Sequence, residues 1–250
     1  MKEHTYPYGV RRKEDKTMAT RRAKRDVVPN QVFIGCPWKT IRPKYDRVIA
    51  KLKKSFPLAY VIVGRDQDQD AEDLLAVIKS KLLSSSHAIF DATGGNANVS
   101  LEYGLAESED LPRMLYFSTH AASRHIGKDH PIIADLAGKR RMQYAQESRL
   151  SALLTTFSKQ HNYTIRFERF FRSVFRKASK GDKKRARALA LKVVHSLDER
   201  DSVRREDIVL NLQADVADYS EREIGRMIKA LHRAKLIVAS RGRYSNVTMT

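Results

Sequence analysis

Four polar side chains that could act on a bound ligand occur close together, at Asp91, Asn96, Asn98 and Glu102. Asp91 ends a short apolar run, a Gly/Asn-rich loop follows, and Glu102 interrupts a mostly apolar helical segment. Two structural explanations for this acid exist besides a functional one. It could complete a capping box, although Asn98 is the natural N-cap and the box would then need its acid at Leu101. It could also be an early-helix acid favoured by the helix dipole, and spacing alone leaves the choice open.

The elements around these residues alternate between strand and helix. Apolar runs of strand length occupy residues 31–38, 58–64, 87–92 and 113–117. This alternation predicts an α/β fold with an open, mostly parallel, flavodoxin-like sheet and helices on both faces. Ligands of such sheets bind beyond the carboxyl ends of the strands. One crevice should therefore contain the loops at 35–38, 65–70 and 91–98 together with the start of the Glu102 helix. The region has no GxGxxG or GxxxxGK[ST] motif, so an ordinary dinucleotide fold and a P-loop are unsupported.

The composition describes a globular chain with a strong and uneven positive charge. With 42% hydrophobic residues, the 250-residue chain can build a core, and its net charge is +19. Residues 31–110 carry a net charge of −1, whereas residues 161–250 carry +10. Basic surfaces of this kind favour phosphate backbones or anionic membranes as partners, and an aid to solubility is the plain alternative.

Several classes of protein are disfavoured by the sequence. The single cysteine, Cys36, excludes an internal disulfide and a cysteine-rich zinc site, and no other metal-ligand motif is complete. The absence of a transmembrane run or a secretory signal predicts a cytoplasmic protein with no membrane partner. We divide the chain into a flexible basic arm (residues 1–30), an α/β domain (31–160) and a basic helical domain (161–250).

The C-terminal segment has the pattern of a winged helix-turn-helix domain. A short helix is followed by a second helix with Ser220 as N-cap and Glu223 at N3, a capping box, and by two extended runs around the basic tip SRGRYS. A basic helix of this type can enter the major groove of DNA while phosphate contacts add affinity. The alternative is a protein-interaction module with a solvated charged face. The predicted DNA contacts are Arg222, Arg226, Lys229, Arg233, Arg241 and Arg243.

Three segments carry a resemblance to known families: VFIGCPW, AIFDATGGNANVSLEYGLA and PIIADLAGKRRMQYAQESRL. Over residues 31–160 the chain resembles the nucleoside 2-deoxyribosyltransferase-like and TIR-like nucleotide-binding domains. Those families show a strand that ends in Asp, a loop close to T-G-x-N-x-N-V and a helix that reads x-E-x-G-x-A. The most specific matches are Asp91, the pair at 98–99 and the run at 102–106.

The resemblance implies chemistry at the N-glycosidic bond of a nucleoside or of NAD. The nucleoside, nucleotide or NAD would be the ligand or substrate, and no cofactor is expected to be required. The residue at Glu102 would act as nucleophile or stabilise charge at the anomeric carbon, and apolar walls would strengthen that interaction. Asp91 would orient a sugar hydroxyl or a base edge, Trp38 could stack on the ligand, and Gly104 would allow close approach. The implied ligand contacts are Phe33, Gly35, Trp38, Asp66, Thr93, Gly94, Asn96, Asn98 and Gly104.

Three functions follow as hypotheses, and the sequence does not decide whether the protein is an enzyme. The first is an N-glycosidic-bond-cleaving or nucleotide-binding domain coupled to DNA binding, by analogy a defence effector. The second is a non-enzymatic transcription regulator that senses a nucleotide. The third is an N-glycosidase that acts on bases in DNA. A homo-oligomer is compatible with the sequence, which does not give the oligomeric state.

Overall fold

A computed structural model describes residues 26–64, 71–122, 139–198, 203–215, 219–240 and 243–246. Two predicted site residues, Asp66 and Arg241, lie outside these described ranges, as do residues 1–25 of the predicted arm. Within them, no helix has both the length and the apolar content that crossing a membrane requires.

The α/β part is built on a parallel five-stranded sheet. Its strands are β1 (Val28–Gly35), β2 (Ala59–Val61), β3 (Ser85–Asp91), β4 (Arg113–Ser118) and β5 (Met142–Tyr144). They are arranged in the order β2-β1-β3-β4-β5, and every neighbouring pair is parallel. This is the order of flavodoxin-like doubly wound sheets, so the predicted fold class is confirmed.

Helices cover both faces of the sheet because the side chains of each strand alternate between them. In β1, Val32 and Ile34 join one apolar core, whereas Phe33 joins a second core on the opposite face. The first core contains buried residues of α1 (Arg42–Leu52) and α5 (Glu147–Gln160), and the second those of α2 (Ala71–Leu83) and α3 (Ala97–Ser108). A short α4 (Thr119–Ala122) follows β4.

The edges of the sheet differ from the sequence-based prediction at two places. Strand β1 begins at Val28, inside the predicted arm, since Val28 pairs with Ser85 of β3. Strand β5 was not predicted: it has three residues, and Met142 and Gln143 are exposed at the edge. A short, mostly exposed strand has no apolar run to mark it.

The C-terminal part combines helices with a small antiparallel sheet. Its elements are α6 (Asn162–Val174), α7 (Lys180–His195), β6 (Val203–Arg204), α8 (Arg205–Asp215), α9 (Glu221–Arg233), β7 (Ile237–Ser240) and β8 (Arg243–Asn246). The three strands are arranged in the order β6-β8-β7 with antiparallel pairs. The predicted capping box at Ser220 and Glu223 is confirmed, because both of its hydrogen bonds are present.

One apolar core runs from the parallel sheet into the C-terminal helices. Buried residues of β1, α1, α5, α6, α7, α9 and β7 belong to the same cluster. Polar contacts also cross the predicted boundary at residue 160: Asn30 of β1 donates to Asp198 (2.9 Å), and a ring nitrogen of His195 lies 2.9 Å from the carbonyl oxygen of Phe56. The domain limits drawn from the sequence stay a prediction, and the two parts share a core.

Candidate functional site

A cleft of about 490 Å³ lies at the carboxyl ends of the parallel strands. Its walls come from the connection after β1 (residues 36–40), residues 63–64 after β2, helix α2, and the loop after β3 together with the first half of α3. The chain passes from β1 to β2 toward one edge of the sheet and from β3 to β4 toward the opposite edge, so the order reverses between the neighbouring strands β1 and β3. The cleft therefore occupies the topological switch point where doubly wound sheets bind their ligands.

Glu102 lines this cleft from the middle of α3. The helix is capped by Asn96 and begins at Ala97, so Glu102 is beyond its first turn, which contains no acid. Both structural explanations for this acid therefore fail: it is neither the N3 member of a capping box nor a first-turn acid. Among the described residues, no side chain hydrogen-bonds to its carboxylate.

Burial raises the pKa of Glu102 from its ordinary value of 4.5 to about 7. The physical cause is loss of hydration, which penalises the charged form. At neutral pH the neutral form is therefore far more populated than it is for an ordinary glutamate. A carboxyl group poised near the working pH is suited either to gain a proton or to act as a nucleophile.

Gly35, at the end of β1, makes room for this carboxylate. A Cβ atom at Gly35 would overlap Oε2 of Glu102 and would lie 2.7 Å from Cδ1 of Phe90. Gly104 has no such role: it is exposed on α3, and a Cβ there would meet nothing within 4 Å. The expectation that Gly104 permits a close approach is therefore wrong, and Gly35 fills that role.

Alanine at these two glycines should have opposite effects on stability. We expect Gly35→Ala to lower the free energy of unfolding by about 1–3 kcal/mol, since the new methyl group overpacks a closed site. Gly104→Ala serves as the control, and we expect it to raise that free energy by about 0.5–1 kcal/mol, because alanine is the better helix former. Urea unfolding of both variants measures the difference, and equal effects would contradict the assigned contact.

Asp91 lies beneath the cleft and does not line it. Its side chain is fully buried, and its carboxylate accepts hydrogen bonds from the hydroxyls of Tyr144 (2.6 Å) and Tyr45 (3.1 Å) and from the backbone N–H (3.1 Å) and hydroxyl of Thr93. Burial raises its pKa above the ordinary value, while the hydrogen bonds act in the opposite direction. The predicted contact of Asp91 with a ligand is corrected: this residue positions Thr93.

Two aromatic residues predicted at the site are placed differently from each other. Phe33 is buried in the core on the α2–α3 side, tilted against the ring of Phe90, and does not line the cleft. Trp38 does line it, but the guanidinium of Arg42 lies 3.3 Å from its ring centroid. One face of the indole is therefore already occupied, and the predicted stacking of Trp38 on a ligand has at most one face available.

The loop after β3 brings the remaining predicted residues to the cleft wall. Thr93, Gly94, Asn96 and Asn98 all line it. Gly94 has a φ of 89°, a left-handed conformation that favours glycine. Asn96 was predicted to contact the ligand, but its Oδ1 accepts the N–H groups of Asn98 (2.9 Å) and Val99 (3.3 Å), which makes it the N-cap instead of Asn98.

Several residues of the cleft were missed by sequence reasoning. Lys39 and Thr40 follow the predicted wall after β1, and Leu74 and Ile78 of α2 form an apolar side. The amphipathic pattern of α2 could have indicated the latter, since a helix beside a strand end borders the crevice. No group of three or more His, Cys, Asp or Glu side chains that could hold a metal ion occurs within the part of the chain that the structure describes.

The residues predicted to contact DNA lie on the outer face of α9. Arg222, Arg226, Lys229 and Arg233 are exposed, whereas the residues of the opposite face (Ile224, Met227, Ile228 and Leu231) are buried. Arg243 is exposed in β8. DNA contact by these residues stays a prediction.

The sequence matches no protein-family model and no curated protein. Solved structures that match include the 2-desoxiribosyltransferase from Leishmania mexicana, with 12% sequence identity and a TM-score of 0.40. That match covers 53% of this chain and 99% of the other.

Proposed function

We propose that the cleft binds a nucleoside or a nucleotide such as NAD and that Glu102 takes part in cleaving its N-glycosidic bond. The observation that supports this most is the state of Glu102 itself. Its carboxylate lines the switch-point cleft, is desolvated enough to raise its pKa to about 7, and has no side-chain hydrogen-bond partner among the described residues. A partly buried carboxyl group that lines a cleft and has a pKa raised by desolvation is typical of a functional site.

The proposed reaction uses the ionised form of Glu102. As the bond between the sugar carbon and the base nitrogen breaks, its electron pair stays with the base, which then takes up a proton. The sugar carbon becomes positive, and the carboxylate stabilises that charge or bonds to the carbon as an ester. Water, or a second base, then attacks the same carbon and releases the carboxylate. Poor hydration of Glu102 strengthens its attraction to the developing charge.

The rest of the cleft is consistent with a ligand of nucleoside size. A volume of about 490 Å³ lies within the usual range of small-molecule sites. The side of α2 is apolar and suits a base, whereas the exposed amide of Asn98 offers hydrogen bonds that suit a sugar. Lys39 at the rim would favour an anionic group on the ligand.

A panel of substrates tests the proposal. Purified protein is incubated with NAD, purine and pyrimidine nucleosides and 2′-deoxynucleosides, their 5′-monophosphates, and single- and double-stranded DNA. Free base is followed by chromatography. We expect release from at least one free nucleoside or nucleotide. Release from DNA alone would favour the N-glycosidase alternative, and no release from any member would contradict cleavage.

A second candidate, a nucleotide sensor without turnover, is favoured by one observation. Among the described residues that line the cleft, Glu102 is the only carboxylate, because Asp91 is sealed beneath it. Because the ionised Glu102 has no proton to give, protonation of the departing base would then fall to water. Saturable binding of a nucleotide without release of its base in the same panel would support the sensor.

We also propose that residues 180–246 form a winged helix that binds DNA. The proposal is supported by the element order helix, strand, helix, helix, strand, strand and by the sheet order β6-β8-β7, which places the last hairpin beside the basic helix. The exposed basic side chains of α9 supply phosphate or base contacts, and the net charge of +10 over residues 161–250 supplies a field that attracts DNA.

A further inference from the structure

A second basic cleft lies between α6 and α9, away from the parallel sheet. It has a volume of about 570 Å³ and is bordered by three arginines, Arg166 and Arg169 from α6 and Arg233 from α9. Its floor is apolar, with Phe170 and Ala230 among the lining residues. None of its described lining residues is acidic, so the three arginines border a cleft that has no carboxylate among its described lining residues.

Two of the three arginines have a structural explanation. Arg166 donates a hydrogen bond of 2.8 Å to the carbonyl oxygen of Lys235, just beyond the end of α9. Arg233 lies in the last turn of α9, where the helix dipole favours a positive side chain. Both would stabilise the end of α9 whether or not a ligand binds.

Arg169 has no such explanation. It is exposed, and within the described part of the chain it has neither an ion pair nor a hydrogen bond. Its neighbour Glu168 is already paired with Arg187 at 2.6 Å. Arg169 therefore adds a third positive charge to the cleft at the cost of repulsion, which an anion between the arginines would relieve.

We infer that this cleft holds a backbone phosphate of bound DNA, so that the DNA-contacting surface extends from α9 onto α6. The inference rests on the proposed DNA binding and specifies its partner surface. The cleft directly adjoins the basic face of α9, because Arg233 belongs to both. Planar guanidinium groups match phosphate oxygens in pairs, and contacts of this kind position a protein on the duplex without reading its sequence.

The dependence of DNA affinity on salt tests this inference. Each phosphate contact contributes about 0.9 to the slope of log K against log salt concentration. We expect Arg169→Gln to reduce that slope by about 1 for duplex DNA. Arg172→Gln is the matched control: Arg172 is also exposed on α6 but does not line the cleft, and the variant should leave the slope unchanged.

The outcomes separate this inference from the proposed function. Wild-type protein that does not bind duplex DNA would overturn both. DNA binding that is lost on charge reversal in α9, together with a salt slope that Arg169→Gln does not change, would overturn only the inference about α6. An equal change in both α6 variants would also overturn it, since the charge alone and not the cleft would then matter. A last outcome would assign the cleft to a small anion instead of DNA. Inorganic phosphate or a free nucleotide at low millimolar concentration would then compete with DNA for the protein, while Arg169→Gln would leave the salt dependence of DNA affinity unchanged. That result would overturn the inference.

Discussion

Replacing Glu102 by glutamine should lower the rate of base release by about 10³-fold or more and should also make the protein more stable. The first effect follows from the proposed role, because a neutral amide cannot stabilise or capture the positive sugar carbon. The second follows from burial alone. Each unit by which folding raises the pKa of Glu102 costs about 1.4 kcal/mol of the free energy of unfolding once the group is ionised. Because Glu102 is partly exposed, solvent screening reduces this cost, and we expect the variant to gain about 2 kcal/mol at pH 8.

The stability gain should depend on pH in a defined direction. The carboxyl group titrates near 4.5 in the unfolded chain and near 7 in the folded protein. Between these values the folded state holds a proton that the unfolded state has lost, so the free energy of unfolding falls as the pH rises through this window. Glutamine does not titrate. The advantage of the variant should therefore be present at pH 8 and should disappear below pH 4.5.

Denaturant unfolding at about pH 4 and at pH 8 measures the stability of the two proteins, and the substrate panel measures the loss of release. Glu109→Gln is the matched control, since Glu109 lies at the end of the same helix and outside the cleft. It should change neither quantity. If Glu102→Gln is more stable but releases base at the wild-type rate, the desolvation of Glu102 would be supported and its role in catalysis would be excluded.

Reversing the charge of Arg226 and Lys229 to glutamate should weaken duplex DNA binding by about 10²-fold or more at 0.1 M salt. Both side chains are exposed on α9, so the reversal replaces two attractive contacts by repulsion without entering the core. Fluorescence anisotropy with labelled duplexes gives the affinity, and circular dichroism shows whether the fold is retained.

A control with the same change of net charge separates local contact from overall charge. Lys54→Glu combined with Lys79→Glu reverses two exposed lysines on the α/β part. We expect it to weaken DNA binding only slightly, through the general field. If both double variants lose affinity to the same degree, α9 is not the DNA-contacting helix.

Much of the α/β fold could be predicted from its sequence because its strands are apolar and its helices amphipathic. The runs that became β1, β3 and β4 are buried, and long buried strands leave a clear pattern. Strand β5 left no such pattern, because Tyr144 is its only buried residue. The start of β1 at Val28 was hidden by the charged segment before it, since pairing with Ser85 and not local propensity extends the strand.

The site could be located from sequence more readily than its details. The strand-end rule brought Glu102, Thr93, Gly94 and Asn98 to one cleft, as the structure has them. It could not show that Asp91 is enclosed, because two of the hydroxyls that enclose it come from Tyr45 and Tyr144, distant in the chain. Side-chain direction within a strand end depends on such partners, which spacing does not encode.

The shared apolar core has a consequence for how the protein tolerates change. Ile228 of α9 and Val32 of β1 belong to the same apolar cluster. A hydrogen bond from Asn30 to Asp198 joins the two parts near the start of β1. Gly35, at the other end of β1, lies against the carboxylate of Glu102. Cooperative units of this kind gain and lose stability as a whole. Variation in α9 is then constrained on its inner face, because each loss of packing there also weakens the core that supports β1, the strand whose end adjoins Glu102. The exposed outer face of α9 has no such constraint.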